Sequence, residues 1–222
     1  MPLPTVEQET GAQPTHAIIW LHGLGADGND FAPIVPELVD DAWPALRFVF
    51  PHAPVRPVTV NNGIPMRAWY DIKGLALADK QDAEGIRASV GEVEALIARE
   101  IERGIPASRI VLAGFSQGGA IALAAGLRHT ATLAGIVALS TYVPMHETVE
   151  AERHGANHET PIFWGHGTAD PIVPIALGTL SRDTLVALGH QVDWHTYPMG
   201  HQVSLQEIAD LRVWLGKRLT NG

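Results

Sequence analysis

No cysteine occurs anywhere in the 222 residues. That absence excludes disulfides, a thiolate nucleophile and Cys-ligated zinc together. Charge is sparse too. Asp, Glu, Lys and Arg make up 18% of the chain, below the roughly 25% of an ordinary globular protein. The balance is acidic, with a net charge of −9. Its few cations form no cluster, so nucleic acid and anionic membrane surfaces are poor partners. No apolar run approaches the ~18 residues of a membrane span, which argues against integral membrane association. The first residues, Met1-Pro2-Leu3-Pro4-Thr5-Val6-Glu7, lack a basic region followed by an apolar one. No secretory signal is read there, and a cytoplasmic location is expected. The sequence contains no internal repeat and no low-complexity tract.

What is present is apolar. Hydrophobic residues make up 46% of the chain, enough for a large core. The length fits one domain. Residues 1–15, rich in Pro, Thr, Gln and Gly, read as an N-terminal arm with room for a short edge strand. Residues 16–222 read as a single α/β domain. Short continuous apolar runs at 16–22, 46–50, 110–113, 135–140 and 161–166 are expected to be buried strands. The run 191–197 alternates and suggests an edge strand. Asn29 or Asp30 is expected to cap a short helix carrying Phe31, Ile34, Val35 and Leu38. A long helix is expected over 82–103, on the stripe Ile86, Val90, Val93, Ile97 and Ile101. Further helices are expected at 118–128, 174–188 and 203–219, with a helical turn or two at 148–154. Residues 51–68, with prolines at 51, 54, 57 and 65, read as a long loop. Strand and helix alternate throughout, the signature of a mostly parallel sheet with helices on both faces. In such sheets ligand chemistry sits at the carboxyl ends of the strands.

Those ends carry reactive residues. After the run 110–113 comes Gly114-Phe115-Ser116-Gln117-Gly118, a G-x-S-x-G turn leading into a helix of small residues. A sharp turn there lifts the serine hydroxyl out of the sheet edge. Bulk at the flanking positions would meet backbone, so glycine occupies both. After 161–166 stands Asp170, and after 191–197 stands His201. Either alone is an ordinary loop residue. Together, in the order Ser116, Asp170, His201, each just past a core strand, they follow the chain order of the α/β-hydrolase arrangement. His201 would take the serine proton, and Asp170 would fix its tautomer. The glycine-lined turn 23–28 offers backbone N–H groups. The Leu24 and Gln117 amides are therefore candidate oxyanion donors. The same turn matches G-x-G-x-x-G, but no acidic residue ends the next strand to hold a ribose, which weighs against dinucleotide binding. His154 and His158 have ligand-like spacing, but Gly155 interrupts any helix, so no metal is expected. His22 and His166 each end a strand, where a structural bond to loop backbone is the simpler reading. Trp69-Tyr70-Asp71 serves either as pocket wall or as core.

With these residues in view, the chain resembles the carboxylesterase/acyl-protein thioesterase family (phospholipase/carboxylesterase type). The likeness rests on Leu21-His22-Gly23-Leu24-Gly25-Ala26-Asp27-Gly28-Asn29-Asp30-Phe31, on Arg67-Ala68-Trp69-Tyr70-Asp71 and on Gly114-Phe115-Ser116-Gln117-Gly118-Gly119. It extends to His166-Gly167-Thr168-Ala169-Asp170-Pro171-Ile172-Val173-Pro174 and Tyr197-Pro198-Met199-Gly200-His201. The resemblance covers nearly the whole chain and is closest to the family's bacterial carboxylesterases. It implies an α/β-hydrolase without a separate lid domain. It implies hydrolysis of a small-molecule ester or acyl substrate by Ser116, Asp170 and His201, with no cofactor. Short- to medium-chain carboxylic esters are the expected substrates. Thioesterase or lysophospholipase activity is the close alternative, and a non-catalytic binding protein is the alternative of a different class. Family members often pair weakly, so a homodimer is a partner the resemblance allows. Trp69 and Val173 are candidate substrate contacts. Ile64, Met66, Leu75, Leu77 and Ile172 are positional guesses for the acyl wall.

Overall fold

The computed structural model describes residues 3–74 and 81–220. The arm contributes a strand, β1 (Thr5–Glu9), followed by β2 (His16–Leu21), the short helix α1 (Val35–Leu38) and β3 (Leu46–Pro51). A ribbon follows, β4 (Val55–Val58) and β5 (Ile64–Arg67), then the long helix α2 (Ala83–Glu102). The second half runs β6 (Ile110–Phe115), α3 (Gln117–Arg128), β7 (Gly135–Leu139), α4 (Val149–Glu152), β8 (Ile162–Gly167), α5 (Ile175–Ala187), β9 (Val192–Tyr197) and α6 (Leu205–Leu219). Seven strands form one sheet in the order β1-β3-β2-β6-β7-β8-β9. Only β1 is antiparallel to its neighbour. β9 is the far edge, as its alternating pattern implies. No helix among the described residues is long and apolar enough to cross a membrane.

The two-sided core follows from the strand period of two. Ala17, Ile19 and Leu21 of β2 pack with Ile86, Val93 and Ile97 of α2 and Ile121 of α3. The intervening Ile18 and Trp20 pack on the opposite face, with Leu38 of α1 and Leu211 and Leu215 of α6. Both faces are therefore covered, which is why these strands read as unbroken apolar runs. The arm strand is fastened to the α2 side by ion pairs, Glu9 to Arg47 at 2.9 Å and Glu7 to Arg99 at 2.9 Å.

Three expectations need correction. Residues 51–68 are not a plain loop: β4 and β5 pair antiparallel there, with Pro57 opposite Pro65. A two-stranded ribbon has only edges, so prolines that would break a central strand are tolerated. Its turn uses Asn62 and Gly63, both at positive φ (56° and 73°), the Asn-Gly signal of a hairpin. Neither Asn29 nor Asp30 caps a helix. The Asn29 N–H and side chain both donate to Asp27 Oδ1, at 2.7 and 3.0 Å, and the first helical turn begins after Phe31 with no side-chain cap. Ile101, at the end of the α2 stripe, is 43% exposed rather than core.

Candidate active site

Parallel neighbours place the carboxyl ends of β2, β6, β8 and β9 on one edge of the sheet. Ser116 follows β6 at φ +55°, ψ −121°, a strained conformation for a residue with a Cβ. The turn is over-determined. Ser116 N–H donates to Leu139 O at 2.8 Å, and Thr141 Oγ1 donates to Ser116 O at 2.6 Å. A side chain on Gly114 would overlap the Gly118 carbonyl, and one on Gly118 would overlap Leu21 O. The two flanking glycines therefore let β6, the turn and α3 close up against β2.

The three predicted side chains meet. His201 Nε2 lies 2.8 Å from Ser116 Oγ, and His201 Nδ1 lies 2.7 Å from Asp170 Oδ2. Asp170 is buried, and its other oxygen accepts the Ile172 and Val173 N–H groups at 2.8 and 2.9 Å. A carboxylate at Nδ1 holds the ring proton there. Nε2 is then left as acceptor for the serine hydroxyl, the tautomer a general base needs. Gln117 is the first residue of α3 and Leu24 stands in the turn after β2. Neither amide donates to a protein acceptor among the described residues. Both residues line the same cavity as Ser116 and His201. The arrangement is a serine hydroxyl within hydrogen-bond reach of an imidazole that can take its proton, in a cavity that two further amides, without a protein acceptor among the described residues, also line.

The cavity holds about 420 Å³, within the usual range for a small-molecule site. Its apolar wall includes Ile72, Tyr142, Ile172 and Val173. Val173 and Ile172 stand where the sequence suggested. Ile64 is instead exposed on the ribbon, and Met66 does not line the cavity; its sulfur accepts from Asn61 Nδ2 at 3.3 Å. Leu75 and Leu77 lie outside the described residues. Trp69 is corrected as well: it is fully buried and stands behind the site, its Nε1 donating to His22 O at 2.9 Å. Tyr70 takes the wall position, its hydroxyl 2.6 Å from that of Tyr142. Burial pushes the Tyr70 phenol well above its ordinary pKa, the Tyr142 oxygen adding to the effect. Tyr142 was missed. It stands just past β7, where the strand-end rule points, between Thr141 and Val143.

His22 and His166 bond loop backbone. His22 Nδ1 is 2.7 Å from Gly23 O, and His166 Nε2 is 2.9 Å from Val173 O. Burial lowers the pKa of each, so both are neutral at neutral pH. The glycine turn at 23–28 leads into a 3₁₀ turn and the four-residue α1, not the long helix whose N-terminus a pyrophosphate needs. His154 and His158 lie beyond the end of α4, and the His154 ring accepts the Ala156 N–H at 3.2 Å.

Residues 3–219 match the family described as Phospholipase/Carboxylesterase. Among curated proteins, the acyl-protein thioesterase 1 of Yarrowia lipolytica is 41% identical over 227 residues, covering 98% of each chain. That of Neurospora crassa is 42% identical, covering 94% of this chain and 89% of its own. Among solved structures, Arabidopsis thaliana SOBER1 superposes with a TM-score of 0.87 at 33% identity, covering 92% of this chain and 99% of the other. Zea mays acyl-protein thioesterase 2 gives 0.83 at 28% identity, covering 96% and 99%.

Proposed function

The chain belongs to the phospholipase/carboxylesterase family and is an α/β-hydrolase acting on esters or thioesters, and from that premise we propose that it hydrolyses short- to medium-chain carboxylic esters through an acyl-enzyme at Ser116. The carrying observation is the 2.8 Å approach of His201 Nε2 to Ser116 Oγ, both of which line the cavity. Ser116 Oγ attacks the acyl carbon while His201 Nε2 takes its proton. The Leu24 and Gln117 N–H groups receive the oxyanion, each such donor contributing about 3–4 kcal/mol to the transition state. The intermediate collapses, and His201 returns the proton to the departing alcohol. Water, deprotonated by the same imidazole, then releases the acid.

A thioester substrate passes through the same steps with a thiol leaving. The names of the fungal relatives favour that second reading. The test is turnover of p-nitrophenyl esters from acetate to palmitate, beside acyl-thioester peptides of matched chain length, by wild type and Ser116→Ala. Loss of all turnover in Ser116→Ala assigns the nucleophile, and the higher kcat/KM assigns the leaving group. Equal activity in both proteins would place the chemistry elsewhere.

A further inference from the structure

The Gly23 carbonyl and the Leu24 N–H belong to one trans peptide, so they point in opposite directions. Whatever aims the first aims the second. The Gly23 oxygen is held by His22 Nδ1 at 2.7 Å and takes the Ala26 N–H at 3.3 Å. His22 is 1% exposed, and its other ring nitrogen accepts the Ala53 N–H at 3.1 Å. An acceptor at Nε2 places the proton on Nδ1, so the Nδ1–H is the donor to Gly23 O.

The neighbouring peptides are fixed as well. The His22 carbonyl accepts Trp69 Nε1, and the Gly25 N–H donates to Arg67 O at 2.9 Å. Trp69 is held in turn by Gln117. Its backbone N–H donates to Gln117 Oε1 and Gln117 Nε2 donates to Tyr70 O, both at 2.8 Å. The Ser89 hydroxyl donates to the Trp69 carbonyl. A continuous hydrogen-bonded path therefore runs from residue 117 through Trp69 and His22 to the peptide of Leu24. The loop is also close to the serine: a Cβ on Gly23 would lie 3.6 Å from that of Ser116.

We propose that His22 is a positioning residue for the hydrolysis: its Nδ1–H, braced through Trp69 by the Gln117 side chain, aims the Leu24 N–H at the oxyanion. This rests on the serine-hydrolase reading above. Two substitutions separate the ring's two bonds. Asn presents an amide N–H near the Nδ1 position and keeps the grip on Gly23 O. Gln places its amide near Nε2 and loses that grip. Trp69→Phe deletes one N–H while keeping a ring.

The experiment measures kcat and KM on a p-nitrophenyl ester, and the inhibition constant of an alkylboronic acid, which forms a tetrahedral adduct on serine. The proteins are wild type, Ser116→Ala, His22→Gln, His22→Asn and Trp69→Phe. A misaimed donor costs up to roughly 100-fold. His22→Gln is expected to lose about that in kcat with KM within about threefold, and to weaken the boronic acid by a similar factor. His22→Asn recovers to within about tenfold of wild type, and Trp69→Phe falls roughly tenfold with the same split. If Ser116→Ala is inactive but folded His22→Gln and Trp69→Phe keep wild-type kcat and boronate affinity, the brace is overturned and the serine reading stands. If Ser116→Ala retains turnover, or wild type neither turns over the ester nor binds the boronic acid, the serine reading fails and takes the brace with it. Should the His22 variants not fold, Trp69→Phe decides alone.

Discussion

His201 rests on Phe115, with ring centroids 4.8 Å apart at 42°. Phe115 immediately precedes the serine that His201 contacts, so one short segment sets both ends of the Ser116–His201 bond. The contact continues inward, from Phe115 to Phe31 at 5.7 Å and from Phe31 to Trp20 at 5.2 Å. The imidazole thus stands at the end of an aromatic column rooted in β2.

Removing that support should loosen the base. Phe115→Ala is expected to lower kcat roughly 10- to 100-fold, with a smaller change in KM, because a misplaced base costs rate rather than ground-state binding. Steady-state kinetics on one ester decides it. An unchanged kcat in a folded variant would show that Asp170 alone holds the ring.

Asp170→Asn isolates the tautomer. The amide oxygen can still accept the Ile172 and Val173 N–H groups, which turns its NH₂ toward His201 Nδ1. The ring must then carry its proton on Nε2 and faces Ser116 as a donor. A fall in kcat of about 10³–10⁴-fold is expected, by the precedent of serine proteases, with the melting temperature little changed. A loss under tenfold would argue against a tautomer-fixing role.

Glu207 gives a stability prediction. It is buried on the first turn of α6 where a side chain on Gly165 would otherwise stand, and neither carboxylate oxygen has a hydrogen-bond partner among the described residues. Burial pushes its pKa from 4.5 up to about 8, and the Asp210 charge adds to the effect. Between those values the folded chain holds a proton that the unfolded chain lacks. This group's contribution is therefore full below pH 4.5, declines as pH rises toward 8 and is flat above. Glu207→Gln carries no such cost. Its stability advantage over wild type is expected to grow by on the order of a few kcal/mol from pH 5 to pH 8. Denaturant melts at both values check this, and parallel curves would mean that Glu207 is ionised in the fold.

Val173 tests the depth of the cavity. It lines the wall and is nearly buried. Val173→Phe fills space that an acyl chain would use, so the optimum of an ester series should move to shorter chains. The overpacking should cost about 1–3 kcal/mol of stability. An unmoved optimum would put the acyl chain along another wall.

The parts of this fold that were legible in the sequence are those written locally. Strands buried on both faces are continuous apolar runs, and the residues after them are adjacent in sequence to what positions them. The triad-like cluster was readable because chain order and strand ends are one-dimensional facts. Pairings across the chain were not. Nothing near Trp69 says that its indole turns inward to His22 while Tyr70 faces the cavity, since both are aromatic and both are buried. The ribbon at 55–67 was hidden by its prolines, although Asn62-Gly63 marks its turn. The column beneath His201 joins Trp20, Phe31 and Phe115 from three segments, and only the assembled sheet brings them into line.

That assembly has a kinetic corollary. The two amides proposed to receive the oxyanion come from segments more than ninety residues apart, Leu24 after β2 and Gln117 after β6. They are brought together by the pairing of those strands, with Leu21 opposite Gly114. A chain with α3 formed but β2 undocked has the serine and lacks half of its oxyanion site. During refolding, turnover should therefore return no earlier than the β2–β6 ladder. The burst of product from a refolding sample would date the last of the strand pairings that the site needs, β2–β6 and those that carry Asp170 and His201 among them.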